Sequence, residues 1–201
     1  MKLNRAEALL VNNPVRALVQ HFYEAPVLRN IGGTLDGKRV LEIGCGNGTG
    51  AKVLLDRLGA KEVIAVDLDV RQVRRAQRLL FANTAGRVSL MTANVRQLPF
   101  RNESFDAVAD FGVLHHVVEW QAGLSEVRRV LKPFGRFLFE EVTREALKRW
   151  FYRTFLDHPT ENRFSKEEFV AELQALGIEL TSSPRSLLGG DIFVGVGRRL
   201  A

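Results

Sequence analysis

The chain has 201 residues, 46% of them hydrophobic and 26% charged, which is the balance of a soluble globular protein with room for one sizeable core. No apolar run is long enough to cross a bilayer, and the polar stretch from Met1 to Arg16 argues against a secretory signal, so a cytoplasmic location is expected. A single cysteine, Cys45, excludes an internal disulfide, and four scattered histidines offer no metal-ligand spacing.

In chain order, Leu3 to about Leu28 reads as an amphipathic helical preface interrupted at Pro14. "RVLEI" is a strand, and "GTGAKVLLDRLGA" a helix with Gly59 as its stop. "EVIAVDL" is a second strand. The helix after it runs to about Asn83 and carries Arg71, Arg74, Arg75 and Arg78 at i, i+3, i+4 and i+7, on one face. "RVSLMTA" and "FDAVADFGVL" are the third and fourth strands. "WQAGLSEVRRVL" is a helix that stops before Lys132-Pro133, and "GRFLFEEV" is the fifth strand. "SKEEFVAELQAL" is a helix with a capping box from Ser165 to Glu168, ended by Gly177. "IELTSS" and "DIFVGVG" make a closing strand pair.

Alternation of apolar strands with helices predicts an α/β, doubly wound, mostly parallel sheet with helices on both faces. Residues 1–201 form a single domain in this reading. Residues 1–30 are a helical cover, and residues 143–164 are an aromatic, lid-like insertion carrying Trp150, Phe151, Tyr152 and Phe155. The net charge of +6 admits anionic partners. The arginine face reads as solvated surface; contact with a membrane surface stays open. No aromatic residues interleave with the arginines, against single-strand nucleic-acid stacking.

The most informative stretch is "VLEIGCGNGTG", Val40 to Gly50. Ligands of open parallel sheets sit at the carboxyl ends of the strands, and the first strand–helix turn is the favoured place. Glycine there lets the backbone turn sharply and lets a ligand approach it. Gly46, Gly48 and Ala51 fit a relaxed dinucleotide pattern, with Asp67 about twenty residues on. Glu42, a carboxylate inside an apolar strand, is awkward for a dinucleotide.

Glu42-x-Gly44-x-Gly46-x-Gly48 resembles the first motif of the class I S-adenosylmethionine-dependent methyltransferases. The resemblance continues through "VIAVDLD", "TANVRQLPF", "FDAVADFGVLHHV" and "EVRRVLKPFGRFLFEE", from about Lys38 to Val142. "LPF", "LHHV" and "VLKPFG", the last for "VLKPGG", are similar to segments of the small type 11, quinone-biosynthesis-like enzymes. It implies a Rossmann-like seven-stranded sheet with a reversed final strand. It implies S-adenosylmethionine as cofactor and S-adenosylhomocysteine as product. The cofactor site it implies comprises Glu42, Gly44, Cys45, Gly46, Gly48, Asp67, Leu68, Asn94, Val95, Asp110 and Phe111. Asp67 meets the ribose, Asn94 and Val95 the adenine, and Glu42 holds the loop and faces the ammonium group. Asn94 stands where an acidic residue is common, and Phe134 where glycine is.

Methyl transfer from a sulfonium mainly needs positioning and exclusion of water. A base is needed only for an acceptor whose proton has a high pKa. His115, His116 and Glu140 are the candidates; Glu140 and Glu141 point to opposite sides by strand alternation. The aromatic insertion suits an apolar or aromatic small-molecule acceptor. The rival readings are an NAD(P)-dependent oxidoreductase, an RNA methyltransferase and a non-catalytic cofactor-binding protein. "DFGV" after the fourth strand, where amino-group methyltransferases of nucleic acid carry an N/D-P-P-Y/F motif, argues against the RNA enzyme. Oligomeric state is not legible.

Overall fold

Valine, isoleucine, leucine and phenylalanine fill the strands, and their alternation decides which layer each side chain serves. The computed structural model describes residues 18–80, 84–147 and 161–201. Five strands run parallel: β1 (Arg39–Ile43), β2 (Glu62–Asp67), β3 (Val88–Thr92), β4 (Phe105–Phe111) and β5 (Leu131–Val142). β6 (Ile178–Leu180) and β7 (Arg185–Leu187) both pair with the reversed β8 (Ile192–Arg199), which lies antiparallel against β5. The order is β3-β2-β1-β4-β5-β8-β6, with β7 beside β6 on the outer edge of β8. The strand order therefore reverses between β1 and β4, which stay parallel, a switch point that opens a crevice at the strand ends.

One face of the sheet buries Leu41, Ile43, Val108, Phe137 and Phe139 under α4 (Trp120–Val130) and α6 (Lys166–Ala175), and the short α5 (Arg144–Leu147) follows β5. The other face buries Val40, Val63, Ala107 and Leu138 under α1 (Ala25–Gly32), α2 (Thr49–Asp56) and α3 (Val70–Leu80). Each fully buried leucine or phenylalanine contributes roughly 1.5–3 kcal/mol. Trp120, Phe164, Phe169 and Phe193 interlock edge-on in the first layer, a geometry worth slightly more than the area alone. The capping box of α6 is present: Glu168 N donates to Ser165 Oγ, and Ser165 N to the Glu168 carboxylate.

The mostly parallel sheet with a reversed final strand forms as expected, with two local differences. The expected sixth strand, Ile178 to Ser183, ends at Leu180, and a further short strand forms beyond Pro184, so eight strands form. Pro184 stands at the break, and proline has no N–H for the ladder. β5 begins at Leu131, ahead of the expected Gly135, with a register shift across residues 132–135. On α3, Arg71, Arg74, Arg75 and Arg78 are exposed and Ala76 and Leu80 buried. Much of the expected cover, residues 1–17 and 148–160, lies outside the described residues, with Trp150, Phe151, Tyr152 and Phe155. No helix among the described residues is long and apolar enough to cross a membrane.

Candidate functional site

β1 delivers the glycine loop to the crevice. Ile43 packs into the α4 layer, so Glu42 must point the other way, towards α2. The Glu42 side chain is 2% exposed and accepts the backbone N–H of Ala51, in the first turn of α2. Oε1 lies where a side chain on Gly50 would fall, 2.0 Å away. Burial first, then Asp67 and Asp110, raise the Glu42 carboxyl well above the usual range. Its Oε2 is buried and has no hydrogen-bond partner among the described residues.

The loop is held at its far end by Asp67, the last residue of β2. Asp67 Oδ2 accepts from Gly46 N at 3.0 Å, and Oδ1 from Asp69 N at 2.8 Å. Burial raises this carboxyl, and the two amides partly offset it. Asp69 then starts α3, accepting from Arg71 N at 2.9 Å and pairing with the Arg71 guanidinium. After β3, Asn94 makes a tight turn: its Oδ1 accepts from Arg96 N and its carbonyl from Gln97 N.

The three turns surround a cleft of about 430 Å³ at the carboxyl ends of β1, β2 and β4, within the range of small-ligand sites. Of the residues singled out in the sequence, Gly44, Gly46, Asp67, Leu68, Asn94, Val95, Phe111 and His116 line it. Glu42, Cys45, Gly48, Asp110, His115 and Glu140 do not. Cys45 is buried against α2 and α3, where desolvation, Glu42 and Asp67 push its thiol up. Gly48 is the left-handed cap of α2, backed by Leu80 and Ala76. Glu140 is buried in the α1 layer, opposite Phe111 in register.

Asp110 and Glu141 lie below the cleft, each 0% exposed. Val113 N donates to Asp110 Oδ1 at 2.9 Å and to Glu141 Oε1 at 3.2 Å, so the two carboxyls are neighbours. Glu141 also accepts from Leu114 N at 2.7 Å and His115 N at 3.3 Å, and its Oε2 lies 2.6 Å from His115 Nδ1. His115 is thus tied beneath the floor, while His116, its ring 4.1 Å from that of His115, reaches the cleft. Sequence reasoning named Glu141 only as the neighbour of Glu140, and passed over Asp69, Gln72, Val117 and Val118 in the lining. An aspartate just before a helical pattern is a cap signal, so Asp69 was findable; the others had no local signal.

A family model described as a methyltransferase domain matches residues 41–139. The chain is similar to a fatty-acid O-methyltransferase of Mycolicibacterium smegmatis, 35% identical over 107 residues, covering 53% of this chain and 38% of that protein. It is also similar to a demethylmenaquinone methyltransferase of Clavibacter sepedonicus, 36% identical over 105 residues, covering 52% and 41%. The chain thus spans about two fifths of the length of these curated relatives. In fold it is similar to an S-adenosylmethionine-dependent methyltransferase from Aquifex aeolicus, with a TM-score of 0.77 at 20% identity, covering 99% of this chain and 100% of that one.

Proposed function

This chain belongs to the class I S-adenosylmethionine-dependent methyltransferase family, and we propose that it methylates a small, apolar or aromatic acceptor in the cleft between β1, β2 and β4. The observation that carries the reading is the Asp67 carboxylate, fixed by two backbone amides at the wall of a cleft whose floor is the glycine loop.

The residues present fit the cofactor. Each Asp67 oxygen accepts one amide and keeps a lone pair for a ribose hydroxyl. Glu42 carries a buried acceptor atom beside the loop with no partner among the described residues, and a bound ammonium group, directly or through water, would satisfy it. Asn94 and Val95 line the cleft, where they would meet the adenine. When bound, S-adenosylmethionine supplies a methyl group already activated on a sulfonium.

The protein's share is then placement. Phe111, Val113, Val117 and Val118 line the cleft and would exclude water from the acceptor's path. His116 is the residue placed to hold an acceptor proton, because His115 is committed to Glu141. The names of the relatives, one acting on a fatty acid and one on a quinone precursor, support an apolar acceptor.

The test is a thermal-shift panel with S-adenosylmethionine, S-adenosylhomocysteine, NAD and NADP. A ligand at about a hundred times its Kd stabilises by about 2.7 kcal/mol, and each kcal/mol moves the midpoint by roughly 2–4 °C. A rise with the two sulfur compounds alone supports the reading. A rise with NAD or NADP alone overturns it.

A further inference from the structure

The irregular turn that opens β5 walls a second cavity, of about 510 Å³, lined by Lys38, Asp106, Lys132, Phe134, Arg136 and Arg198 among others. It lies at the amino ends of β1, β4 and β5, the opposite end of the sheet from the cleft.

Its charge is one-sided: four cations face one carboxylate. Asp106 is taken by Lys132, at 2.8 Å. The Arg136 guanidinium donates to the carbonyls of Gly32 and Thr34, which hold it in place without neutralising it. Arg198 stands directly opposite Arg136 in the antiparallel ladder, and opposite Glu179 on its outer side, so the three side chains leave the same face with the two arginines adjacent. Like charges so opposed repel, and burial together with Arg198 lowers the Arg136 pKa. An anion between them removes the repulsion.

The second observation is Phe134. It holds φ at 63°, the left-handed region that disfavours any side chain, and its ring is 56% exposed. The turn cannot relax readily, because a Cβ on Gly135 would fall 2.8 Å from Lys132 O and 3.2 Å from Asp106 O. Glycine at position 134 would remove both the strain and the exposed ring. Among the described residues the ring meets Arg198, whose guanidinium lies 5.0 Å from the ring centroid. The other face of the ring is a stacking surface beside a cation cluster.

We propose that this cavity binds a nucleoside phosphate, with the phosphates between Lys38, Arg136 and Arg198 and the base stacked on Phe134. One aromatic ring serves one base, which favours a single nucleotide unit over a polynucleotide track.

Isothermal titration of UDP and of ADP into the chain, with S-adenosylhomocysteine saturating, tests this; inorganic pyrophosphate is the third probe. Both nucleotides are expected to bind at one site. Phe134→Gly, which suits the backbone there, is expected to weaken both nucleotides about tenfold and leave pyrophosphate unchanged. Arg198→Gln is expected to weaken all three about tenfold. The proposal is overturned by absence of nucleotide binding up to about 1 mM, or by binding that neither substitution alters. It is also overturned by a single-stranded RNA oligomer that binds far more tightly than UDP with a steep salt dependence. A chain that ignores S-adenosylhomocysteine but still takes UDP sinks the methyltransferase reading and leaves this one standing.

Discussion

The Glu141 carboxylate lies under the turn that His115 closes, with Oε2 2.6 Å from His115 Nδ1 and Oε1 2.7 Å from Leu114 N. One fully buried side chain at the end of β5 thus holds the backbone that carries Val113 and His116 into the cleft. Removing it strands buried N–H groups, a loss of about 3–5 kcal/mol when a buried charged partner is deleted. Glu141→Ala is expected to lower the unfolding free energy by that order in urea melts, and Glu141→Gln by less, since its amide oxygen still accepts. An Ala variant as stable as the parent would mean that the turn holds itself.

Asp110 shares the same pocket, and the two carboxyls cannot both ionise freely. Burial, then Glu141, raises Asp110 well above its usual range; burial raises Glu141 to about 7. Both shifts are upward, so the native state keeps a proton that the unfolded chain has released. The contribution to stability is full below the unfolded carboxyl range and is lost as pH rises towards about 7. Urea midpoints should therefore fall between about pH 4.5 and 7, and Asp110→Asn should flatten that slope. A slope unchanged in the variant would assign the titration to another group.

Asp67 and Glu42 separate binding from folding. Losing hydrogen bonds to a charged group costs roughly 1.5–3 kcal/mol, so Asp67→Ala should weaken S-adenosylhomocysteine about ten- to a hundredfold by calorimetry. Unchanged affinity would remove Asp67 from the site. Glu42 is raised by burial and by Asp67 and Asp110; a cation bound beside it favours its ionised form. Binding should therefore release a proton, seen as a dependence of the apparent enthalpy on buffer ionisation. Glu42→Gln should abolish that dependence, and equal enthalpies for the parent in all buffers would contradict the ammonium contact.

What could be read in advance was what depends on neighbours in sequence. The alternation of Val40, Leu41, Glu42 and Ile43 marked a strand buried on both faces, and the Ser165–Glu168 spacing marked the cap of α6. The run from Glu42 to Asp67 placed the glycine loop and the strand end that form half the cleft. Which of Glu140 and Glu141 meets the turn was not legible. Both are glutamates at a strand end, and only the register of β5, shifted by the turn at Lys132 to Gly135, decides it. The short strand beyond Pro184, Arg185–Leu187, raised the strand count for a local reason that alternation hides. The glycines mislead in another way. Side chains on Gly48 and Gly50 would meet Leu80, Ala76, Glu42 and Phe111, so these positions are small to admit protein, a fact that lies in distant parts of the chain.

Gly44 is the sharpest case. Its φ is 63°, and a Cβ there would fall 2.0 Å from Val113 Cγ2. Gly44→Ala therefore adds a left-handed strain to an overpacked contact, together about 2–4 kcal/mol. Val113 lines the cleft, so a displaced Val113 should also weaken S-adenosylhomocysteine. Shortening the opposing side chain separates the two costs. In Gly44→Ala with Val113→Ala, the contacts at 2.0 and 2.9 Å disappear, while a 3.0 Å approach to the position 113 Cβ and the backbone strain stay. The double variant should recover stability relative to Gly44→Ala, giving a coupling energy of about 1–3 kcal/mol in a double-mutant cycle. It should also regain most of the cofactor affinity. Strict additivity would mean that the two loops do not touch in solution, and that Gly44 is there for its backbone angle alone.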